Sequence, residues 1–275
     1  MTARVALSIA GSDPSGGAGV QADLKTFGAL GAYGCAVLTA LTAQSTRGVT
    51  GVHVVPAEFV AEQLRTLLAD VTVHATKIGM LADVAVVGAV ADVLAERPAG
   101  PVVLDPVMVA TSGARLIAED AVVALRERLL PLADLITPNV PEAAVLLGTT
   151  PAGGVQECVE QAEALTARTG ARVLLKGGHL PGAESVDVLA EPGRRTRLVV
   201  RPRVATEHTH GTGCTLSSAL AALLARGVPE GSWEPLVESA RDYLQAALLA
   251  GRDLGVGGGH GPLQHFPATD PIEVR

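Results

Sequence analysis

Lysine is nearly absent from this chain. Of its 21 basic residues three are Lys, at positions 25, 77 and 176, and the remaining 18 are Arg; set against 28 acids they leave a net charge of −7. No basic block occurs, which argues against nucleic-acid binding as a main role, because a phosphate backbone demands clustered Lys and Arg. Cysteine is as scarce: Cys35, Cys158 and Cys214 are odd in number and far apart, a pattern of neither a disulfide framework nor a zinc knuckle. No apolar run approaches the roughly 18 residues that a membrane-spanning helix needs. The N-terminal run Val5 to Ala10 turns polar at Gly11, Ser12 and Asp13, too soon for a secretory signal. A cytoplasmic protein with no membrane partner is therefore expected. Repeats, low-complexity linkers and charge breaks are missing too. At 275 residues, one α/β domain or two smaller ones would each fit the size of a hydrophobic core.

What is present is a well-buried pattern of alternating strands and helices, with 48% apolar and 18% charged residues. Strands are expected over Val5 to Ala10, Ala36 to Ala43, Val49 to Val55, Ala75 to Gly79, Pro101 to Leu104 and Ala171 to Leu175, and a hairpin over Glu184 to Arg203 turning at Gly193. Helices are expected from Gly19 to Gly31 or Gly34, from Pro56 to Asp70, and over Val84 to Glu96, Glu119 to Leu130, Gln156 to Thr169 and Trp233 to Leu254.

The stretch His208 to Leu224 carries the densest chemistry. Leu216, Leu220, Leu223 and Leu224 make one apolar helical stripe, preceded by Gly211 and Gly213. Unpaired N–H groups at such a helix start, with glycines that let the backbone curl close, favour an anion such as a phosphate. Cys214 sits at that same start, where a thiol is expected to lose its proton more readily and act as thiolate; the alternative is a small apolar Cys in an ordinary core helix. His208 and His210 have metal-pair spacing but no third ligand nearby, so no metal is assigned to them.

Two motif matches fail. Gly11 to Gly16 has Walker A spacing, but Gly17 and Ala18 stand where Lys and Ser or Thr belong. Gly17 to Ala22 fits the relaxed dinucleotide fingerprint, yet no Asp or Glu occurs in Cys35 to Gln44 to hold a ribose. Six other positions are candidates. Asp23 borders a buried stripe and is either a ligand acceptor or a solvated early-helix charge. Gln44, past a strand end, reads a ring edge or belongs to a turn. Asp105 ends an apolar run with the pattern of a central parallel strand. Asn139 and Glu142, three apart at a helix start, hold a hydrated magnesium or form a capping box. Lys176 emerges at a strand end beside two glycines, where an ammonium can reach a phosphate.

Eight short motifs then fall in one order: Ala10-Gly-Ser-Asp-Pro-Ser-Gly-Gly-Ala-Gly19, Gln21 to Phe27, Leu38 to Gln44, Lys77-Ile-Gly-Met-Leu81, Asp105 to Gly113, Thr137-Pro-Asn139, Lys176-Gly-Gly-His179 and Thr209 to Ser218. With these the chain resembles the phosphomethylpyrimidine kinases of thiamin biosynthesis, members of the ribokinase superfamily. The resemblance implies one three-layer αβα ribokinase-like kinase domain over 1–275 with a mostly parallel central sheet. It implies ATP and Mg2+ as cofactors, and phosphorylation of 4-amino-5-hydroxymethyl-2-methylpyrimidine to its monophosphate and then to the diphosphate. By the same resemblance Cys214 is the catalytic base and Gly211, Thr212 and Gly213 form the anion hole. Gly11, Asp23, Gln44, Met80 and Val107 would bind the pyrimidine, and Asp105, Thr137, Asn139, Lys176 and Thr209 the ATP phosphates. Asp105, Asn139 and Glu142 would hold magnesium through water, and the enzyme would be a homodimer. A pyridoxal or pyridoxine kinase, and a binding module without chemistry, are the alternatives. The chain departs from the family at Glu207-His208, at Ser45 and at Gly257-Gly-Gly259.

Overall fold

The computed structural model of the chain describes residues 2–108 and 119–267. Elements follow in the order β1 (Val5–Ala10), α1 (Gly19–Ala29), β2 (Tyr33–Leu38), β3 (Ala40–Ser45), β4 (Gly48–Val54), α2 (Ala57–Asp70), β5 (Ala75–Ile78), α3 (Val84–Glu96) and β6 (Val102–Leu104). The second half adds α4 (Glu119–Ala124), β7 (Leu135–Ile136), α5 (Val140–Leu147), α6 (Val155–Thr169), β8 (Arg172–Leu175), β9 (Glu184–Ala190), β10 (Arg197–Pro202), α7 (Thr212–Arg226) and α8 (Glu234–Gly251). Among the described residues eight strands form one sheet in the order β10-β9-β8-β7-β6-β5-β1-β2. From β2 to β8 neighbouring strands are parallel, and β9 and β10 close the far edge antiparallel.

The apolar runs read from the sequence suit strands buried on both faces, as a parallel sheet between helix layers requires. Successive strand residues point to opposite faces. Leu7, Ile9, Ile78, Leu104 and Ile136 pack into one core with Val60 and Leu64 of α2, Val86 and Val90 of α3, Leu146 of α5 and Leu165 of α6. Their neighbours Ala6, Ala75, Val103, Leu135 and Leu174 pack into a second core with Phe27 of α1, Leu220 of α7 and Leu244 of α8. The architecture is therefore three layers. Helix α7 is buried well beyond its leucine stripe, since Ser217, Ser218 and Ala219 are buried as completely as Leu220, and Leu223 is its partly exposed member.

Two expectations are corrected. The single strand over Ala36 to Ala43 is two strands, broken at Thr39. The Thr39 N–H donates to the Ala10 carbonyl, its hydroxyl donates to the Met80 carbonyl at 2.6 Å, and its own carbonyl accepts from Val55 N–H. Those three bonds turn the chain out of the main sheet into the separate antiparallel hairpin β3–β4. Gln44 thus lies inside β3 and not beyond a parallel strand. The helix expected over Glu119 to Leu130 begins as α4, widens into a π turn over Leu125–Leu129 and tightens into a 3-10 turn over Leu130–Leu132; Pro131, lacking an N–H, cannot extend the regular ladder. Residues 109–113 of the Asp105 motif lie outside the described residues. Among the described residues no helix is long and apolar enough to cross a membrane.

Leu104 has no exposure, so Leu104→Ala leaves a cavity between sheet and helices and should cost about 2–5 kcal/mol in urea unfolding. An unchanged midpoint would contradict its place in the core.

Candidate active site at the carboxyl edge of the sheet

The parallel strands end in register, so residues just beyond them meet along one edge. Gly11 follows β1, Met80 follows β5, Asp105 follows β6, Asn139 follows β7 and Lys176 follows β8. Short ladder bonds extend the register past the strand ends: Gly79 N–H to Ile9, Asp105 N–H to Ile78, Thr137 N–H to Leu104 and Lys176 N–H to Pro138. A cavity of about 740 Å³ opens along this edge, within the usual range for small-molecule sites. Its lining includes Gly11, Gln44, Met80 and Val107, the polar set Asp105, Asn139, Glu142, Lys176 and Cys214, and Val204, Thr206 and Thr209 with Leu244 and Leu248 of α8.

Helix α7 delivers its N-terminus to this cavity, with Gly211, Thr212 and Gly213 in the wall. Gly211 is its N-cap at φ 82 with no capping side chain. A Cβ on Gly211 would lie 1.8 Å from the Gly17 carbonyl oxygen, so only glycine lets the two glycine loops touch here. The uncapped first turn leaves N–H groups and the positive helix end toward the cavity. A Cβ on Gly213 would lie 3.2 Å from Lys176 Nζ and 3.5 Å from Asp105 Oδ2, which puts the cation and the carboxylate directly against the helix start.

Lys176 Nζ lies 2.7 Å from Asp105 Oδ1 and 4.0 Å from Glu142 Oε2. Burial works against its charge, but Asp105 and Glu142 outweigh burial and hold it above the usual lysine range. Asn139 and Glu142 realise the capping-box reading: Glu142 N–H donates to Asn139 Oδ1 at 2.9 Å, and Asn139 N–H donates to Glu142 Oε2 at 2.8 Å. Both also face the cavity. Among the described residues no three His, Cys, Asp or Glu side chains converge to cage a metal. Asp105 and Glu142 nevertheless offer hard oxygen donors, the set that suits a magnesium ion bound by one or two carboxylates plus substrate phosphates.

Three expectations about site residues need revision. Cys214 opens onto the cavity, but its thiol is pushed up to about 11. Burial is the main cause, Asp23 and Asp105 add to it, and Lys77 and the Gly19 N–H oppose it. The helix end does not win here. Asp23 is fully buried and lies behind the cavity wall. Lys77 Nζ donates to both its oxygens at 2.8 and 2.9 Å, and the Ser8 and Ser218 hydroxyls donate to it at 2.6 Å each. Thr137 is also fully buried and reaches the site through Asp105, donating to its Oδ1 at 3.2 Å.

Sequence reasoning passed over Lys77, Asp13 and the tail. Lys77 has no exposure, and Asp23, followed by Cys214 and Asp105, overcomes burial to keep it charged. Its rarity was the available signal. Asp13 pairs with His210 across 2.7 Å, a contact that no sequence spacing announces. The Gly257 to Gly261 tail folds back over both. Gly259 N–H donates to Thr46 Oγ1 of the β3–β4 turn, Gly261 N–H donates to His208 Nδ1, and His210 N–H donates to the Gly261 carbonyl.

A three-layer α/β sheet that brings a buried Lys–Asp pair against an uncapped, glycine-flanked helix start defines a small-molecule kinase of the ribokinase type. The family model described as phosphomethylpyrimidine kinase matches residues 13–264, and the chain belongs to that family. It is 52% identical over 263 residues, 96% of this chain and 97% of the other, to the hydroxymethylpyrimidine/phosphomethylpyrimidine kinase of Escherichia coli strain K12. Among solved structures it resembles the phosphomethylpyrimidine kinase of Clostridium difficile 630, with TM-score 0.77 and 36% identity over 89% of this chain and 99% of that one. It also resembles an ADP complex of Bacillus subtilis pyridoxal kinase, with TM-score 0.86 and 35% identity over 96% and 98% of the two chains.

Glu142 offers a test of these electrostatics. Burial, reinforced by Asp105 and opposed by Lys176, lifts its carboxyl from an ordinary 4.5 to about 7. The folded protein then holds this proton more tightly than the unfolded chain. The stabilisation is complete below the unfolded value and is lost as pH rises toward about 7. The melting temperature of the wild type should fall relative to Glu142→Gln, which keeps the capping box, between about pH 5 and about pH 7.5. Parallel curves would refute the raised pKa.

Proposed function

We propose that the protein transfers the terminal phosphoryl group of ATP to the hydroxymethyl oxygen of 4-amino-5-hydroxymethyl-2-methylpyrimidine, and then a second phosphoryl group to the monophosphate, giving the diphosphate for thiamin biosynthesis. The observation that carries this reading is the meeting of Lys176, Asp105 and Cys214 at the open N-terminus of α7, in a chain of this family. Gly11, Gln44, Met80 and Val107 would hold the ring. Lys176, Thr209 and the N–H groups of Gly211 and Gly213 would take the phosphates, with Thr212 between them donating its N–H to the Thr209 carbonyl. Phosphoryl transfer asks a protein mainly to align groups and neutralise charge, and donors fixed at the helix start do so without reorganising. Magnesium, when bound between Asp105, Glu142 and the phosphates, would supply further charge neutralisation. Asn139 supports that set by capping α5 against Glu142.

In the first transfer the hydroxyl oxygen bonds to phosphorus, the bond to ADP breaks, and the hydroxyl proton goes to the Cys214 sulfur. That sulfur must first have lost its own proton to solvent. In the second transfer the attacking oxygen belongs to a phosphate and carries little proton to remove. The same proposal covers a single kinase domain over 1–275, acting as a cytoplasmic homodimer with no nucleic-acid or membrane partner. The outstretched hairpin β3–β4, with Leu41 and Val52 exposed, supports the dimer.

Pyridoxal phosphorylation is the second reading, favoured by the close superposition on a pyridoxal kinase. A product assay with magnesium-ATP, resolving mono- from diphosphate and run beside pyridoxal, separates the two; a preference for pyridoxal overturns our choice. Absence of ATP consumption with either compound would instead indicate a binding module. Cys214→Ala should slow the first transfer by about 10²–10⁴-fold and the second far less. With a base whose pKa is about 11, wild-type kcat/KM for the first transfer should climb about tenfold per pH unit from about pH 7 to about pH 9. Unimpaired first turnover in Cys214→Ala would remove the base from the mechanism.

A further inference from the structure

Asp13, Gln44 and His210 belong to three separate segments and meet at the cavity wall. His210 Nε2 lies 2.7 Å from Asp13 Oδ2 and 3.4 Å from Nε2 of Gln44. The amide oxygen of Gln44 lies 3.2 Å from Thr42 Oγ1. The Asp13 carboxyl sits at about 2: burial works to raise it, but bonds from His210 and Ser15 outweigh burial. It is an acceptor only. The 2.7 Å contact therefore requires a hydrogen on His210 Nε2, whatever the charge of the ring. An amide nitrogen facing that same Nε2 sets donor against donor.

Thr42 leads to the same conclusion from the other side. Its hydroxyl hydrogen goes to the Ser12 carbonyl oxygen at 2.8 Å, so what it turns to Gln44 is a lone pair, which wants an N–H. The oxygen and nitrogen of a glutamine amide have nearly the same shape, and only their partners tell them apart. The one hydrogen on Nε2 points to Asp13, so that nitrogen has no lone pair for an amide N–H, while a carbonyl oxygen at 3.4 Å can share the hydrogen as its minor branch; both partners therefore call for the carbonyl beside His210 and the amino group beside Thr42. Neither His210 nor Asp13 is free to turn. A Cβ on Gly17 would lie 2.5 Å from the His210 ring, the His210 N–H is held by Gly261, and Asp13 also accepts from Ser15 and Ala18 N–H groups.

We propose that the Asp13–His210 pair, with Thr42, locks the polarity of the Gln44 amide, and that this lock selects a 4-amino over a 4-oxo pyrimidine. The inference rests on the functional reading above, in which Gln44 faces the pyrimidine. A locked amide shows the cavity one lone pair and one N–H in fixed order. A 4-aminopyrimidine edge carries a donor amino group beside an acceptor ring nitrogen and matches it. The 4-oxo analogue carries an acceptor beside a ring N–H, the inverted order, and leaves like groups face to face. A free amide would accommodate either edge by rotating its last torsion. Asp13 and His210 are positioning residues, since they act through Gln44.

The test is the ratio of kcat/KM for the 4-amino and 4-oxo forms of 5-hydroxymethyl-2-methylpyrimidine, measured for wild type, His210→Ala, His210→Gln and Thr42→Val. His210→Ala should lower the ratio about tenfold or more, the size of one misdirected hydrogen bond, with KM moving more than kcat. His210→Gln places an amide N–H where the ring N–H stood and should restore the ratio. Thr42→Val, which removes the second anchor and leaves His210 in place, should lower the ratio as well, and gives the result if His210→Ala does not fold. General damage would slow both substrates equally and leave the ratio intact, and that result overturns the lock. So does a ratio that stays low in His210→Gln or unchanged in Thr42→Val. A wild type inactive on both pyrimidines defeats the functional reading itself; one active on the amino compound, with an unchanged ratio in His210→Ala, defeats only the lock.

Discussion

Lys77 and Asp23 carry opposite charges in a place that water does not reach, since neither side chain has any exposure. Removing two ions from water costs several kcal/mol each, and their attraction repays this only when every remaining oxygen and hydrogen is engaged. Here Asp23 accepts from the ammonium and from the hydroxyls of Ser8 and Ser218. Those partners belong to β1, α1, β5 and α7, so one satisfied pair joins the middle of the sheet to the helix that carries Cys214. Breaking it from one side would strand the other charge, a penalty greater than the loss of any single apolar contact nearby.

The same charges decide the state of the thiol. A helix N-terminus favours an anion by about 0.3–1 kcal/mol at an exposed position and up to about 2 kcal/mol when partly buried. Desolvation of a buried ion is larger than that, and Asp23 and Asp105 add repulsion to it. Cys214 is therefore a neutral thiol at rest, and Lys77 beneath it is the group that limits how far its pKa rises. Lys176 feels the same carboxylates with the opposite sign and stays an ammonium. The site holds one cation beside the helix start and another under the sulfur, with carboxylates between.

Two glycine loops and a glycine tail make this arrangement rigid where it faces a ligand. The first loop meets the α7 loop at Gly17 and Gly211, at a separation that leaves no room for a Cβ. The tail then ties the hairpin turn at Thr46 to His208 and His210. Gln44 is thus carried by a hairpin outside the main sheet, where its neighbour Thr42 is bonded to Ser12 of the first glycine loop, and it meets His210 of the loop before α7 on its other side. A side chain held between two anchored neighbours keeps one orientation, which is what recognition of a polar ring edge requires.

Much of the fold was legible from hydrophobic pattern and punctuation, because period, caps and breakers are local. α3 falls on Val84 to Glu96 as expected, the Gly193 hairpin is β9–β10, and Asn139 with Glu142 forms the capping box. Lys176 and Asp105 could be placed at strand ends because parallel strands deliver their ends to one edge. The break at Thr39 was not legible: it depends on Ala10, Met80 and Val55, and no local signal in Ala36 to Ala43 carries it. The partners of Asp23, the protonation of Cys214 and the polarity of Gln44 were out of reach for the same reason. Each depends on residues distant in sequence, Lys77 and Ser218 for the first, burial with Asp23 and Asp105 for the second, and Asp13 and His210, acting with the nearby Thr42, for the third. The sequence by itself determined that Asp105, Asn139 and Lys176 reach the edge of the sheet. The tertiary structure decided which of them are charged, which are already satisfied and which way they point, because burial and hydrogen bonding are properties of the assembled layers.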